Sequence, residues 1–199
     1  MTDDDTLMTA WIQGDAHAFE QLYRRHQGPL YRFVRRVLGA ALAMQVDEVF
    51  QDTWSRVIQV RERWSPQGAS FRTWLFTLAH HRAIDCLRRS GRELSVDAVA
   101  SEEDRSATDS WAAWPAADGH NPSDTAYWRA AGQRLLECLD SLPTAQRAAF
   151  VLHHDDGLSV DEMARVLELG FETAKSRLRY AMTKLRQCMG AYLGAEGLS

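Results

Sequence analysis

The chain is 199 residues long, 45% hydrophobic, and carries a formal charge of −4. That length admits one large or two small domains with buried cores; no apolar run nears the ~20 residues of a membrane span, and the acidic start Met1-Thr-Asp-Asp-Asp5 is unlike a secretion signal, so a cytoplasmic protein is expected. The net charge alone argues against a nucleic-acid partner, but residues 1–92 hold 13 Lys+Arg against 10 Asp+Glu, residues 93–125 hold one against 8, and residues 126–199 hold 9 of each, so the acidity is concentrated in the middle and leaves both ends eligible.

A first helix is expected from about Asp15, with Phe19, Leu22, Tyr23, Leu30, Phe33, Val34, Val37 and Leu38 at helical spacing. Pro29 should kink or split it. The arginines between these positions (24, 25, 32, 35 and 36) either solubilise the outer face or touch phosphate. A second helix runs from about Val46 to Arg63, with Val46, Val49, Phe50, Trp54, Val57 and Ile58 inward and Asp47, Glu48, Gln51, Asp52, Ser55 and Gln59 outward; acids in its first turn complement the helix dipole. Pro66 and Gly68 make Trp64–Ser70 a loop.

Residues 70–89 contain neither Gly nor Pro, and Ser70 stands ahead as an N-cap, so they read as one helix. Phe71, Trp74, Leu75, Leu78, Ala79, Ala83 and Leu87 cover a broad apolar arc. A narrow strip of Thr73, Thr77, His80, His81, Ile84 and Arg88 ends in Arg88-Arg89. Such a helix suits either a core element with one wet face or a nucleic-acid reader.

Glu93–Thr125 has no apolar period and reads as a linker without fixed structure. The Trp111/Trp114 pair within it is expected to dock on a partner or a flanking domain. A second domain begins near Tyr127. A helix over Arg134–Asp140 ends at Leu142-Pro143, Pro143 suits the first position of the next helix, and that helix runs to about His154 before the turn Asp155-Asp-Gly157. Ser159-Val-Asp-Glu162 is a capping box opening a short helix; Leu169-Gly170 is a tight turn; a long helix follows from about Phe171 to Met189. From Thr173 through Met189 it holds Lys175, Arg177, Arg179, Lys184 and Arg186 and no acid. Short capped helix, turn and long basic helix make a helix-turn-helix, whose second helix enters the major groove, where Lys and Arg read guanine and Ser reads several bases.

The three cysteines (86, 138 and 188) are odd in number, far apart and free of C-x-x-C spacing, and read as reduced thiols rather than a disulfide or zinc set. His80-His81 and His153-His154 are neighbours that point about 100° apart on a helix and chelate poorly. No phosphate loop or nucleophile motif is present, so no metal, cofactor or catalysis is expected.

Two stretches resemble a known family. Trp74-Leu-Phe-Thr-Leu-Ala-His-His-Arg-Ala-Ile-Asp85-Cys-Leu-Arg-Arg89 is similar to the signature helix of bacterial extracytoplasmic-function (ECF) sigma factors, roughly W-L-x-x-I-A-x-N-x-x-x-D-x-x-R-R, with His81 at the Asn position. Leu142-Pro-Thr-Ala-Gln-Arg147, Gly157-Leu-Ser-Val-Asp-Glu-Met-Ala164 and Thr173-Ala-Lys-Ser-Arg-Leu178 resemble its −35-reading domain; Met163, Glu168, Ala174 and Tyr180 depart from the pattern.

The resemblance implies an all-α chain of two small helical domains joined by a flexible acidic linker. Residues 1–92 would be the region 2-like domain, 93–126 the linker and 127–199 the region 4-like helix-turn-helix domain. It implies −35 contacts by Arg147, Thr173, Lys175, Ser176, Arg177, Arg179, Tyr180 and Lys184. For −10 contacts it implies Trp64, Ser65, Ser70, Thr77, His80, His81, Arg88 and Arg89. Polymerase docking would fall to Asp47, Glu48, Gln51, Asp52 and Ser55. The partners implied are core RNA polymerase (β′ clamp helices and β flap) and promoter DNA, with an anti-sigma factor as a further candidate. If His81 titrates in the DNA pocket, promoter opening should vary between about pH 6 and 8. The rivals are a helix-turn-helix regulator of the response-regulator output type, which would need a receiver or ligand domain in its first half, and a helical RNA-binding adaptor.

Overall fold

The computed structural model describes residues 2–91 and 122–193, with side chains for 129–190 of the second stretch; the acidic segment with Trp111 and Trp114 lies outside the described residues. Every regular element among the described residues is helical.

Helix α1 (Asp4–Ile12) was not anticipated. Asp3 caps it by accepting from the Asp5 and Thr6 amides, and Leu7, Met8 and Trp11 are buried. Helix α2 (Ala16–Leu38) starts at the Asp15 cap and passes through Pro29 unbroken. One missing amide bond is outweighed by a face in which Leu22, Leu30, Phe33, Val34 and Val37 are fully buried, each worth roughly 1.5–3 kcal/mol. Gly39, at φ 70°, ends α2 in the left-handed region that glycine enters without steric penalty.

A 3-10 stretch (Ala40–Gln45) leads into α3 (Val46–Val60), and a 3-10 turn (Arg61–Arg63) extends it to the expected end. Helix α4 (Phe71–Arg89) carries two caps. The Ser70 hydroxyl accepts from the Thr73 amide at 3.2 Å, and the Phe71 amide donates to the Asp5 carboxylate of α1 at 2.7 Å. Its buried face includes Phe76 and Cys86 beyond the expected arc, and Phe76 meets Phe33 of α2 edge-on at 5.2 Å. Thr73, expected in the outward strip, is 2% exposed.

In the second half, α5 (Pro122–Asp140) begins well ahead of Arg134, and α6 (Thr144–Phe150) starts after Pro143, which is its cap rather than its first residue. Helix α6 then widens into a π-helical turn (Val151–Asp155), closed by Asp156 amide to Val151 carbonyl at 3.1 Å. Helix α7 (Val160–Val166) opens with the expected capping box, and α8 (Phe171–Leu193) follows.

The reduced-thiol reading is corrected for two cysteines. Cys138 of α5 and Cys188 of α8 form a disulfide, with Cα atoms 5.9 Å apart. Distance along the chain does not measure distance in space once two helices pack. Cys86 is a buried free thiol.

The two helical groups pack on one another. Helix α2 lies along α6 and the π-helical turn, and α4 lies along α7.

Candidate nucleic-acid interface

The outward strip of α4 is built by the arc that buries its other side. Thr77 is half-buried and returns its hydroxyl to the Thr73 carbonyl at 2.9 Å. His80 is half-buried, its Nδ1 enclosed without a protein partner; burial, then the neighbouring charges of His81 and Arg177, lower its pKa to about 4. His81 is exposed, with Nε2 3.3 Å from a carboxylate oxygen of Glu168. Arg88 and Arg89 are exposed at the basic end, as expected of cations facing a helix C-terminus. In the preceding loop Ser65 is exposed and bonded to Gln67, while Ser70 is occupied as a cap. Trp64 is 6% exposed and donates its indole N–H to the Ala69 carbonyl at 3.2 Å. It is a core residue, with no open face for a base to stack on.

The helix-turn-helix is assembled as its residues require. The Glu162 amide donates to the Ser159 hydroxyl at 3.2 Å, and the Ser159 amide and hydroxyl donate to the Glu162 carboxylate at 2.8 Å, which holds that carboxyl below its ordinary value. The turn after α7 places Glu168 at φ 54°, where glycine is the unstrained choice. On α8, Thr173 and Lys184 are exposed; Lys175, Ser176, Arg177, Arg179 and Tyr180 are half-buried. The Arg179 guanidinium sits 5.2 Å from the Tyr180 ring centre, so the residue that departs from the family pattern is held by the arginine beside it. Arg147 is 7% exposed and donates to Asp140 at 3.0 Å, and burial lowers its pKa. In this arrangement it faces α2, not solvent. A Cβ added at Gly39 would lie 2.5 Å from its Nη1 and 2.8 Å from the Asp140 carboxylate.

The acidic face of α3 is open: Asp47, Glu48, Gln51 and Ser55 are exposed and Asp52 is half-buried. Tyr31 of α2 donates to Asp47 at 2.9 Å and meets Phe50 edge-on at 5.5 Å. A shallow groove beside it is lined by Arg24, Gln27, Gly28, Pro29, Tyr31, Arg32 and Phe50. The adjacent histidine pairs are engaged separately. His153 bonds the Leu158 carbonyl at 2.8 Å, and His154 stacks near Phe150 at 4.7 Å.

Sequence reasoning missed the acids that face α2 and α4 from the π-helical turn. Asp155 meets Arg36 at 2.5 Å, and Arg72 donates to the Asp156 carbonyl. The Asp156 carboxyl is raised to about 7 by burial, against the opposing pull of Arg72. Their positions depend on the π-helical turn, which leaves no trace in hydrophobic spacing.

Residues 22–93 match the family model of Sigma-70 region 2, and residues 132–185 that of Sigma-70, region 4. The chain is 31% identical over 189 residues to the ECF RNA polymerase sigma factor SigK of Mycobacterium sp. (strain KMS), covering 95% of this chain and 92% of that one. It is 34% identical over 187 residues to the RNA polymerase sigma factor CarQ of Myxococcus xanthus, covering 92% and 95%. Its fold resembles that of CnrH, solved with the cytosolic domain of CnrY (TM-score 0.64, 24% identity, 98% and 100% covered). It also resembles the sigma factor RpoE from Bartonella quintana, solved with the anti-sigma factor NepR (TM-score 0.61, 22% identity, 86% and 96% covered).

Proposed function

The chain belongs to the ECF sigma factors of RNA polymerase, and we propose that its first module grips core polymerase and captures the −10 element while its second reads −35 as duplex. It is a transcription initiation factor whose partners are core RNA polymerase and promoter DNA. The rival reading as a response-regulator output protein needs a receiver or ligand domain where region 2 matches. The observation that carries the assignment is the pairing, in one chain and in order, of a region 2 match with a capped helix-turn-helix matching region 4.

We place the boundaries at 1–92, 93–126 and 127–199, with α5 reaching back across the last one. Its role is non-chemical: binding energy from polymerase and two DNA sites is directed to extruded bases and stabilises the open complex. Thr77, His80, His81, Arg88 and Arg89 would form the −10 surface, with Ser65 and Ser70 at its edge. Thr173, Lys175, Ser176, Arg177, Arg179, Tyr180 and Lys184 would form the −35 surface, with Arg147 reaching backbone phosphate once freed from Asp140. Asp47, Glu48, Gln51, Asp52 and Ser55 would meet the β′ clamp helices, and the second module the β flap. An anti-sigma factor remains a candidate partner. No helix among the described residues is long and apolar enough to cross a membrane; we place the protein in the cytoplasm, where its partners work.

Run-off transcription with purified core polymerase over a genomic library tests the whole reading. Promoter-specific starts are expected, and a chain that neither associates with core nor selects starts overturns it. Lys175→Ala and Arg179→Ala should each weaken −35-dependent transcription about tenfold with core binding unchanged. Equal loss of core binding would assign both residues to the fold.

A further inference from the structure

The first turn of α8 carries two side chains outside the set assigned to −35. Phe171 is 44% exposed and, of the large apolar side chains exposed among the described residues, is the one in the helix-turn-helix. Glu172 follows it, exposed and without an ion-pair or hydrogen-bond partner among the described residues. Helical geometry places the acid. Ala174, Leu178, Ala181 and Leu185 are fully buried and define the inner side of α8. At ~100° per residue, the line opposite them runs through Glu172, Ser176, Arg179 and Thr183. The carboxylate therefore leads the outward row, one turn ahead of Ser176, at the end of the helix that meets base edges in this motif. A first-turn acid complements the helix dipole wherever it sits around the turn. One on the outward line must also enter the groove, where phosphates repel it unless a base donates to it. In the major groove the donor suited to a carboxylate is the cytosine amino group; adenine sets its N7 acceptor beside its amino group and repels a second acceptor. Phe171 lies on the flank of this row, in register with Lys175 four residues on. An apolar ring there matches the thymine methyl, the apolar group that the major groove exposes.

We propose that Glu172 and Phe171 are specificity-determining residues of the −35 contact: Glu172 accepts from a cytosine amino group, and Phe171 covers the methyl of a neighbouring thymine. The inference rests on the assignment of α8 to −35 and extends it from the face that binds to the bases it selects. The division of labour follows from charge. Lys175 and Arg179 gain from phosphate as well as from guanine, so they favour DNA of many sequences. Arg179 is also held beside the Tyr180 ring, its guanidinium 5.2 Å from the ring centre. Glu172 gains nothing from phosphate. Any sequence that fails to offer it a donor leaves a carboxylate unpaired in the groove, so it selects by rejection as much as by attraction.

The test uses holoenzyme assembled from the full-length chain and core polymerase, selecting from promoter duplexes randomised across −35. Wild type should enrich one position in cytosine about tenfold over the other bases. Glu172→Gln should move that position alone to adenine, because an amide pairs with the adenine amino group and N7 together, and Glu172→Ala should flatten it. Preferences kept at the other positions show that each variant is folded. For Phe171, each thymine of the selected −35 duplex is replaced in turn by deoxyuridine, which removes only a methyl group. One such replacement should weaken binding about fourfold for wild type and leave Phe171→Ala unaffected. A cytosine preference unmoved by Glu172→Gln, or none beside clear preferences elsewhere, overturns the role of Glu172. So does a Glu172→Ala chain that binds every sequence more tightly with selection unchanged, since the acid then only repels phosphate. Methyl loss felt equally by wild type and Phe171→Ala overturns the role of Phe171. A wild-type chain with no preference at any −35 position overturns the assignment of α8 itself, and the proposal with it.

Discussion

Asp156 and His80 face the seam between the two helical groups with opposite proton preferences. Asp156 is raised to about 7 by burial, so the packed state holds its proton more tightly than the unfolded chain does. Its contribution is greatest below about pH 4, is lost as pH rises toward 7, and is constant above. His80, lowered to about 4, acts in reverse: stability is lost as pH falls from about 6.5 toward 4. The two oppose one another across that window, with His26 and His154, both lowered by burial, acting on the side of His80, so the wild-type slope by urea unfolding should lie between those of variants that remove Asp156 or His80. Asp156→Asn should expose the acid-side loss and raise stability at pH 7 by a few kcal/mol at most, while His80→Gln should expose the opposite slope. A wild-type profile as steep as either variant would show that the groups do not offset. Glu168 makes a second case. Glu168→Gly should stabilise the helix-turn-helix by about 1 kcal/mol, read by thermal unfolding, while releasing His81 from its carboxylate partner. The chain's departure from Gly at this position was legible in the sequence. Its meaning was not, since a residue type reports neither φ nor the neighbour its carboxylate meets.

Among the helices, those announced by local chemistry were legible: the Ser159/Glu162 box, the Ser70 cap, and the acid-free run of α8. Those that depend on partners were not. Helix α1 is short and acidic at its start, and its role shows only in what it touches. Asp5 caps α4 from 66 residues away, and Asp4 meets both Arg25 at 2.9 Å and the 6%-exposed His26 at 2.6 Å. Asp5→Ala should cost about 1 kcal/mol, and Asp4→Ala about 1–3 kcal/mol by leaving a buried ring without a partner, both read by chemical denaturation. Pro29 failed to break α2 because tertiary burial overrides a local penalty. The Cys138–Cys188 link closes a loop of 50 residues, so Cys138→Ser with Cys188→Ser should destabilise the second module by about 2–4 kcal/mol. A melting curve unchanged by reductant would remove that prediction.

At the scale of the whole molecule, the two-module plan was legible because each module carries its own motif. The packing of one on the other was not, since a half-buried polar strip reads alike whether solvent, DNA or a second domain covers it. The exposed acids of α3 stay open to solvent while the two helical groups are packed. Asp47→Lys with Glu48→Lys should lower core-polymerase association at least tenfold without changing the radius of the free chain; a change in both would place these acids in the seam. Gly39 bears on the same point from the other side. A Cβ there would meet only the ends of the Arg147 and Asp140 side chains, at a backbone φ of 70°, so Gly39→Ala should turn the Arg147 guanidinium toward solvent, where an arginine-selective reagent would label it faster than in the wild-type chain.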